Sequence, residues 1–460
     1  MAPGPVVRVA GLDLGTSYVK TVGVDLDPAS DRPVRVRELR RAPTPTGAAA
    51  LVAVARRLLD EVADGAAGIG IASMAETGVP LDADDRPLTE LLTWDARRPL
   101  SPTLAELDPV GLFARTGVRL SPKVPLATWA WLAREHPDVV RRTRRWAGAA
   151  DLVALALTGT LATDHTLAGR TGAHLLDDSA WDADLLALAG VAHVGLPEVV
   201  SDRPVGRAAG IPVVVAGHDH QVGAHASGVS APGDTANSLG TTEVVLRVLD
   251  GAPERAAVHA AGMSLVRTVG GARRALLAGN GSAGAAYAAW VADQGLDPDA
   301  VELPNGPSDL LVLPHLRGRQ CPDPDPGARL RVVGDLGAAT DGDRLRALLE
   351  GLALQTRWMD AVGRSLDPGA ATGPFVVFGG PGARNDDWTR VKAEVLARPL
   401  RLVTQHEPVA IGAAIVAAER AGLVEPGSVA LPTDSLPVHE DRYAAVLADF
   451  VREARRKDPA

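Results

Sequence analysis

Residues 12–20 read LDLGTSYVK, and residues 237–245 read NSLGTTEVV. In both stretches Leu-Gly-Thr is followed by a second hydroxyl residue, with an apolar run on either side. An apolar run that enters a tight Gly-Thr turn and another that leaves it predict strand, turn, strand. Two explanations stay open: a gene duplication, or a coincidence in a chain rich in Ala, Gly and Val. A duplication would give the chain two similar domains.

Apolar runs elsewhere in the chain predict an α/β fold. Apolar segments rich in β-branched residues end in glycine or alanine at residues 68–72, 211–217 and 374–380, as buried strands do where they end at site loops. Between them lie helical patterns such as residues 345–363, where Leu recurs at spacings of three and four. We place the domain boundary after residue 232, which predicts domains 1–232 and 233–460.

Composition excludes several classes of protein. The 460 residues are roughly three times a typical single domain. The net charge of −9 gives no general attraction for phosphate backbones or anionic lipid, so we expect neither nucleic acid nor membrane as a partner. The single cysteine, Cys321, fits a reducing compartment. Because Arg8 and Asp13 interrupt the first apolar stretch, no signal peptide is predicted, and we expect a cytoplasmic location.

Residues 275–292 form the longest uncharged run. The run contains Asn280, Ser282 and several glycines and is rich in Ala rather than Leu. It therefore predicts a buried helix after a glycine turn, not a membrane span.

The two Gly-Thr turns are candidate phosphate sites. Glycine followed by two hydroxyl residues offers converging backbone N–H groups and two hydroxyl donors, with no side chain on the glycine to block an anion. Two such turns could bind one polyphosphate from both sides, whereas a single copy reads more simply as an ordinary hairpin. Asp13 precedes the first turn at a strand end, where a carboxylate could hold a hydrated magnesium ion.

A second cluster, GHDHQ at residues 217–221, directly follows an apolar run. Strand alternation would point His218 and His220 to one side and Asp219 to the other. The histidines could then form a metal pair with His225 nearby, or Asp219 could cap the following helix. We favour a third interpretation, in which Asp219 is a base that accepts the proton of an attacking substrate hydroxyl.

A third cluster, GGPGARN at residues 379–385, lies between a predicted strand and a predicted helix. Glycines at such a junction let a planar base or a ribose approach the backbone. Alone, this signal is weak.

In this order, the segments resemble the FGGY carbohydrate kinase family over nearly the whole chain. Residues 13–20 look like the first phosphate motif of that family, 238–243 like the second, 217–224 like the catalytic-base segment and 379–384 like the adenosine motif. Residues 94–97 (WDAR), 163–172 and 407–414 also have family character.

The resemblance implies two actin-like, ribonuclease-H-like α/β domains with an interdomain cleft, ATP largely on the second domain and a small sugar or polyol on the first. It makes Asp219 the general base and Asp13 the carboxylate on the Mg²⁺ side. It implies nucleotide and phosphate contacts at Gly15, Thr16, Ser17, Lys20, Gly240, Thr241, Thr242, Gly380, Gly382, Ala383 and Arg384. It implies sugar contacts at Glu76, Trp94, Asp95, Arg97 and His220.

Two positions depart from the family pattern. Pro381 stands where glycine is usual, which removes a backbone donor and fixes φ. The pair Ala75-Glu76 replaces the Met-His of xylulokinase-like members, which leaves the sugar open, and Glu76 could instead be a solvated turn residue. A homodimer is also left open.

We therefore expect an ATP-dependent kinase of a small ketose or polyol, with xylulokinase-like substrates leading. The alternatives are a kinase-derived binding protein without turnover and a metal-dependent hydrolase that uses His218 and His220. The presence of both Asp13 and Asp219 argues against the first of these.

Overall fold

The computed structural model describes residues 6–96 and 98–456, which form two compact units. The first unit contains the chain up to residue 228 together with residues 265–274 and 407–432. The second contains residues 229–264 and 275–406 and the chain from residue 433. The division into functional domains at residues 232 and 233 stays a prediction.

The elements up to residue 228 are, in chain order, β1 (Val7–Leu14), β2 (Tyr18–Leu26), β3 (Val34–Pro43), α1 (Ala48–Asp60), β4 (Ile69–Ser73), β5 (Gly78–Leu81), α2 (Pro102–Ala105), α3 (Pro109–Thr116), α4 (Pro125–Glu135), α5 (Pro137–Arg142), β6 (Arg145–Gly148), α6 (Ala149–Thr158), β7 (Ala162–Thr163), α7 (His165–Ala168), α8 (Ala183–Leu188), β8 (Glu198–Val199), β9 (Gly206–Ala208), β10 (Ile211–His218) and α9 (Asp219–Ala226).

The elements after residue 228 are β11 (Thr235–Leu239), β12 (Glu243–Val248), α10 (Arg255–Ala260), β13 (Ser264–Arg267), β14 (Arg274–Asn280), α11 (Ala283–Gln294), β15 (Leu311–Leu313), β16 (Arg331–Val333), α12 (Asp341–Ser365), β17 (Phe375–Gly379), a 3₁₀ helix (Pro381–Arg384), α13 (Asp386–Leu396), β18 (Leu400–Val403), α14 (Pro408–Arg420), β19 (Thr433–Leu436) and α15 (Ala444–Arg455).

The two large sheets repeat one topology. Within the described residues, the first sheet has the order β3-β2-β1-β4-β10-β9, and the second contains β14-β12-β11-β17-β18-β19 in that order. In both, the first three strands are antiparallel, the next two continue parallel to the third, and the last is antiparallel again. This match, strand by strand, favours duplication over coincidence as the origin of the two Leu-Gly-Thr segments.

Both predicted hairpins are confirmed, since residues 15–17 join β1 to β2 and residues 240–242 join β11 to β12. The helix predicted after a glycine turn within residues 275–292 is confirmed as α11, which begins at Ala283, but only Ala283, Ala286 and Trp290 of it are buried. Residues 275–280, which the prediction left unassigned, belong to the strand β14. An apolar run rich in Ala and Leu fits a buried strand as well as a helix, and periodicity alone does not separate them. No helix within the described ranges combines the length and apolar character that a bilayer crossing requires.

Helices cover both faces of the first sheet. Helices α1 and α6 pack on the face that carries Leu12 and Ile71, and α9 and α14 pack on the opposite face. Helix α14 lies so close to β1 and β4 that a β-carbon on Gly11 would collide with the carbonyl of Ala410, and one on Gly70 with that of Ala413. Only glycine permits this approach.

Candidate active site

The carboxyl ends of three neighbouring strands position the acidic groups of the first unit. Strands β1, β4 and β10 are parallel, and Asp13 and Gly217 both pair with Ala72 on the central strand. Asp13 and Asp219 therefore follow adjacent strand ends, and the Asp219 charge contributes to raising the pKa of Asp13. Ligands bind at such strand ends in open α/β sheets.

The junction of β10 and α9 brings His218, Asp219 and His220 together. A register irregularity falls between Val215 and Gly217, Gly217 has a φ of 128°, and α9 starts directly at Asp219. The expected alternation, with the histidines opposite Asp219, is therefore wrong, because the strand ends before it can continue. One ligand atom from each of the three side chains lies within 4.8 Å of the other two.

Asp219 is a partly buried and accessible carboxylate beside these imidazoles. Its Oδ1 lies 3.1 Å from His218 Nε2 and 3.8 Å from His220 Nε2, and 22% of its side chain is exposed. Burial alone would raise the pKa of Asp219, but His220, His218 and hydrogen bonds to its charged form lower the pKa well below the ordinary value. The carboxylate is therefore ionised at neutral pH.

Asp13 is held in a different environment. Burial raises its pKa to about 7, against the opposing effect of the Lys20 ammonium group. Lys20 Nζ lies 3.8 Å from Asp13 Oδ2 and 2.6 Å from Glu407 Oε2. Asp13 Oδ1 is buried and accepts no hydrogen bond within the described residues. An orphaned carboxylate oxygen of this kind suits a cation with oxygen ligands.

Glu76 is buried and paired, so the alternative of a solvated turn residue is wrong. Its Oε1 accepts a hydrogen bond from Arg170 Nη2 at 2.6 Å, and less than a tenth of either side chain is exposed. Burial alone would raise the pKa of Glu76, but the cations of Arg170 and Lys123 outweigh that effect and lower it. Sequence analysis quoted the Arg170 segment without giving this residue a role, and it missed Lys123 completely.

The structure describes three of the four residues of the WDAR segment (residues 94–97). The indole Nε1 of Trp94 donates to Thr16 Oγ1 at 2.9 Å, which links this segment to the first Gly-Thr turn. Asp95 is exposed, and Arg97 lies outside the described residues.

The backbone at His218, next to Asp219, is held by three residues to which the sequence analysis gave no role: Thr166, Asp164 and Arg420. Thr166 Oγ1 accepts the His218 backbone N–H at 2.9 Å and bonds in turn to Asp164. Arg420 on α14 donates to Asp164 Oδ2 at 2.9 Å. This buried chain of contacts fixes the backbone that carries Asp219.

In the second unit, the turn at residues 240–242 lies beside the glycine-rich segment that follows β17. Gly240 N donates to Thr242 O and Gly380 N to Leu239 O, both at 2.9 Å. A β-carbon built on Gly240 would have Thr242 O, 3.7 Å away, as its nearest protein neighbour, so the space above this glycine is open.

The segment at residues 380–384 presents only part of itself to solvent. Gly382 and Ala383 are buried, whereas Arg384 is exposed. Pro381 opens the short 3₁₀ helix, where its fixed φ is favourable and its missing N–H has no helical partner to lose. The departure from glycine at this position is therefore compatible with the local backbone.

A buried polar network lies beneath the second turn, in which only Glu243 Oε2 has no hydrogen-bond partner among the described residues. Glu243, directly after the turn, pairs with Lys392 from α13, and neither side chain is exposed. Asn237 Nδ2 and Thr356 Oγ1 donate to Glu243 at 3.0 and 2.7 Å. Lys392 also donates to Asn237 and Thr356, so the network joins two strands and two helices. Sequence analysis gave none of these residues a structural role.

Two ribonuclease-H-like sheets, each with a Gly-Thr turn between its first antiparallel strands, define the fold of the actin-like, ATPase-type proteins. Xylulose kinase of Rhodospirillum rubrum has a similar structure, with a TM-score of 0.83, 25% sequence identity and 97% of each chain covered.

Sequence comparison gives the same assignment. Residues 48–226 match the model of the N-terminal domain of the FGGY family of carbohydrate kinases, and residues 235–421 match that of its C-terminal domain. Xylulose kinase of Streptomyces rubiginosus is 29% identical over 486 aligned positions, which cover 97% of both chains. Glycerol kinase of Thermus brockianus is 29% identical over 416, with 84% of this chain and 81% of the relative covered.

The chain belongs to the FGGY family of carbohydrate kinases. The resemblance, the two-domain α/β fold and the expectation of a phosphotransferase are therefore confirmed.

Proposed function

We propose that the protein transfers the γ-phosphoryl group of ATP to a hydroxyl of a small ketose or polyol, with xylulose-like sugars as the leading candidates. The observation that carries this proposal is the position of Asp219, an accessible, ionised carboxylate beside Asp13 at the ends of β10 and β1. Relatives named for xylulose and for glycerol support the substrate class, since one is a ketose and the other a polyol.

Asp219 acts as the general base. As the substrate oxygen forms its bond to the γ-phosphorus, the bond from that phosphorus to the leaving oxygen breaks, ADP departs, and the hydroxyl proton passes to the carboxylate. A loose transition state needs mainly positioning and neutralisation of charge. His218 supports both, because its contact at 3.1 Å keeps Asp219 ionised and oriented.

The carboxylate of Asp13 is a fitting ligand for Mg²⁺, which prefers oxygen donors and usually keeps several waters. The support is its buried Oδ1, which accepts no hydrogen bond from the described residues. Bound Mg²⁺ would supply positive charge against the phosphates. Lys20 and Glu407 hold each other at 2.6 Å beside this carboxylate and limit its movement.

The nucleotide contacts belong to both Gly-Thr turns and to the segment after β17. Gly15, Thr16, Ser17 and Lys20 contribute from the first unit. Gly240, Thr241 and Thr242 offer N–H and hydroxyl donors from the second. We assign Gly380, Gly382, Ala383 and Arg384 to the nucleoside on the family resemblance; Gly382 and Ala383 are buried, so they would support the exposed part of the segment from within. The open space at Gly240 supports the assignment of the second turn.

Selection of the sugar falls to residues around Glu76. Glu76 and Arg170 form a buried pair that can offer an acceptor and donors to neighbouring hydroxyls, and His220 lies within the electrostatic reach of both. We assign Trp94, Asp95 and Arg97 to the same region on the family resemblance.

The decisive variant is Asp219→Asn, which keeps the shape of the side chain but removes its basicity. Turnover with the best sugar should fall by ~10² to 10⁴, with ATP affinity nearly unchanged. A coupled assay of ADP release over a panel of ketoses and polyols measures turnover, and calorimetry measures ATP binding. Asp343→Asn, the same chemical change in an exposed helix cap, is the control and should retain full turnover. Wild-type turnover in Asp219→Asn would overturn the assignment of the base.

A further inference from the structure

His218, Asp219 and His220 form a donor set of two imidazoles and one carboxylate at the start of α9. Their ligand atoms lie within 4.8 Å of one another, with two of the separations at 3.1 and 3.8 Å. A metal with bonds of about 2.0–2.2 Å holds neighbouring ligand atoms at roughly 3–3.5 Å. Small side-chain rotations therefore bring all three onto one ion, and the partly exposed His220 is free to make them.

The donor chemistry selects among cations. Imidazole nitrogen suits zinc, cobalt, nickel, copper and iron, and two histidines with one carboxylate form a known open coordination set. Mg²⁺ prefers oxygen ligands in near-octahedral geometry, so it gains little from this set. Asp13, whose described neighbours offer oxygen and ammonium groups but no imidazole, is the better place for Mg²⁺. The two acidic positions therefore differ in the cation they prefer.

The two ring nitrogens of His218 have different surroundings. Nε2 lies 3.1 Å from Asp219 Oδ1 and is the nitrogen that would bind the ion, while Nδ1 is buried and has no hydrogen-bond partner among the residues that the structure describes. The site therefore rests on Nε2 and the two neighbouring side chains, and no second hydrogen bond from the described residues restrains the ring from turning toward an ion. The backbone that carries His218 is fixed by Thr166 and Asp164, so two of the three ligands sit on a rigid segment.

We propose that His218, Asp219 and His220 bind one divalent transition-metal ion of the zinc, cobalt or nickel type, and that the bound ion inhibits phosphoryl transfer. The inhibition rests on the proposed function, because the metal would occupy the carboxylate that acts as base. The binding does not, since it follows from the three side chains alone.

Binding is tested without any assay of activity. Metal-free full-length protein is titrated with Co²⁺, followed by its visible absorption, and with Zn²⁺ in competition with a chromophoric chelator. We expect one equivalent to bind, and His218→Ala and His220→Ala each to weaken binding by about tenfold or more. His225→Ala is the matched control, because His225 lies on the same helix but pairs with Glu419, and it should bind like wild type. Circular dichroism checks that the variants fold.

Wild-type protein that binds no stoichiometric Co²⁺ or Zn²⁺ would overturn the inference. Binding that survives both His218→Ala and His220→Ala would overturn it as well. In either case a loss of turnover in Asp219→Asn would still support the proposed function, so the two failures are distinguishable.

Inhibition is measured at saturating Mg·ATP with Zn²⁺ buffered at fixed free concentrations. Turnover should fall with Zn²⁺, recover on addition of a chelator that spares Mg²⁺, and be less sensitive in His220→Ala than in His225→Ala. Equal sensitivity of these two variants would refute inhibition at this site. Stoichiometric binding with unaffected wild-type turnover would refute the inhibitory half and count against Asp219 as the base.

Discussion

The hairpins β1-β2 and β11-β12 have the same topology but place their charges differently. In the first, Asp13 lies across from Lys20, which is 26% exposed, and one carboxylate oxygen has no hydrogen-bond partner in the described part of the chain. In the second, Glu243 Oε2 likewise has no hydrogen-bond partner among the described residues, but Glu243 and Lys392 are fully buried and share hydrogen bonds with Asn237 and Thr356. The two hairpins thus share one backbone arrangement. In β1-β2 the charged groups stay available for chemistry, whereas at β11-β12 the buried pair of Glu243 and Lys392 stabilises the turn.

The largest expected effect breaks the buried pair. Lys392→Met leaves the Glu243 carboxylate buried without its cation, which should lower the free energy of unfolding by about 3–5 kcal/mol. Lys20→Met in the first hairpin removes a partly solvated ion pair and should cost less than about 1 kcal/mol. Urea denaturation of both variants measures the difference.

The double variant Lys392→Met/Glu243→Gln is the control for this experiment. It removes both charges while Gln still accepts hydrogen bonds from Asn237 and Thr356, so most of the lost stability should return. Equal destabilisation by Lys392→Met and Lys20→Met would contradict the distinction between the two hairpins.

A somewhat smaller effect concerns two acids that bond back to helix N-termini, Asp151 in the first unit and Asp343 in the second. Burial raises the pKa of Asp151 from 3.8 to about 7. The unfolded chain therefore releases this proton at lower pH than the folded protein does, and stability falls as pH rises from about 4 to about 7. At 1.36 kcal/mol per pKa unit, the loss is at most about 4 kcal/mol.

Asp151→Asn should remove this loss and flatten the dependence of unfolding free energy on pH. Asp343 behaves oppositely, because hydrogen bonds from Thr340 lower its pKa, so its contribution is present above pH 3.8 and disappears as pH falls. Thermal unfolding of the wild type and of both Asn variants between pH 3 and 8 measures how each substitution changes the dependence of stability on pH. Changes of the same sign in the two variants would contradict the contrast between Asp151 and Asp343.

The smallest effect tests the second turn as a phosphate site. Gly240→Val should weaken ATP binding by about tenfold, or about 1.4 kcal/mol, with sugar binding nearly unchanged. Apart from the adjacent residues of the chain, the nearest described atom to the new β-carbon is Thr242 O at 3.7 Å, so the added side chain should displace ligand rather than disturb the fold. Gly369→Val, which also points into open space, is the control. Unchanged ATP affinity in calorimetry would reject the phosphate role.

Local patterns predicted the parts of the fold that depend on local sequence. The apolar-Gly-Thr-apolar order fixed both hairpins, and the leucine spacing in residues 345–363 found most of α12. Long-range packing escaped prediction. Residues 407–414 gave no sign that α14 returns to the first unit, because the reason lies in Gly11 and Gly70, far away in sequence.

Sequence reasoning named individual residues of the candidate site but not their arrangement. Asp13 and Asp219 were singled out from their positions at strand ends, and Lys20 from the family resemblance. The convergence of His218 and His220 on Asp219 was missed, because it depends on the irregularity before Gly217 and on the immediate start of α9. The partner of Glu76, Arg170, lies 94 residues away, and no local spacing relates the two.

The return of α14 to the first sheet also determines the order of events during translation. Strands β1 and β4 emerge from the ribosome early, but the helix that covers their face is made only after residue 407, when the sheet of the second unit is almost complete. The first unit therefore cannot finish folding as an N-terminal domain, and the nascent chain carries an uncovered apolar surface until nearly the end of synthesis. In the cell, the first unit can complete its fold only after α14 has been synthesised.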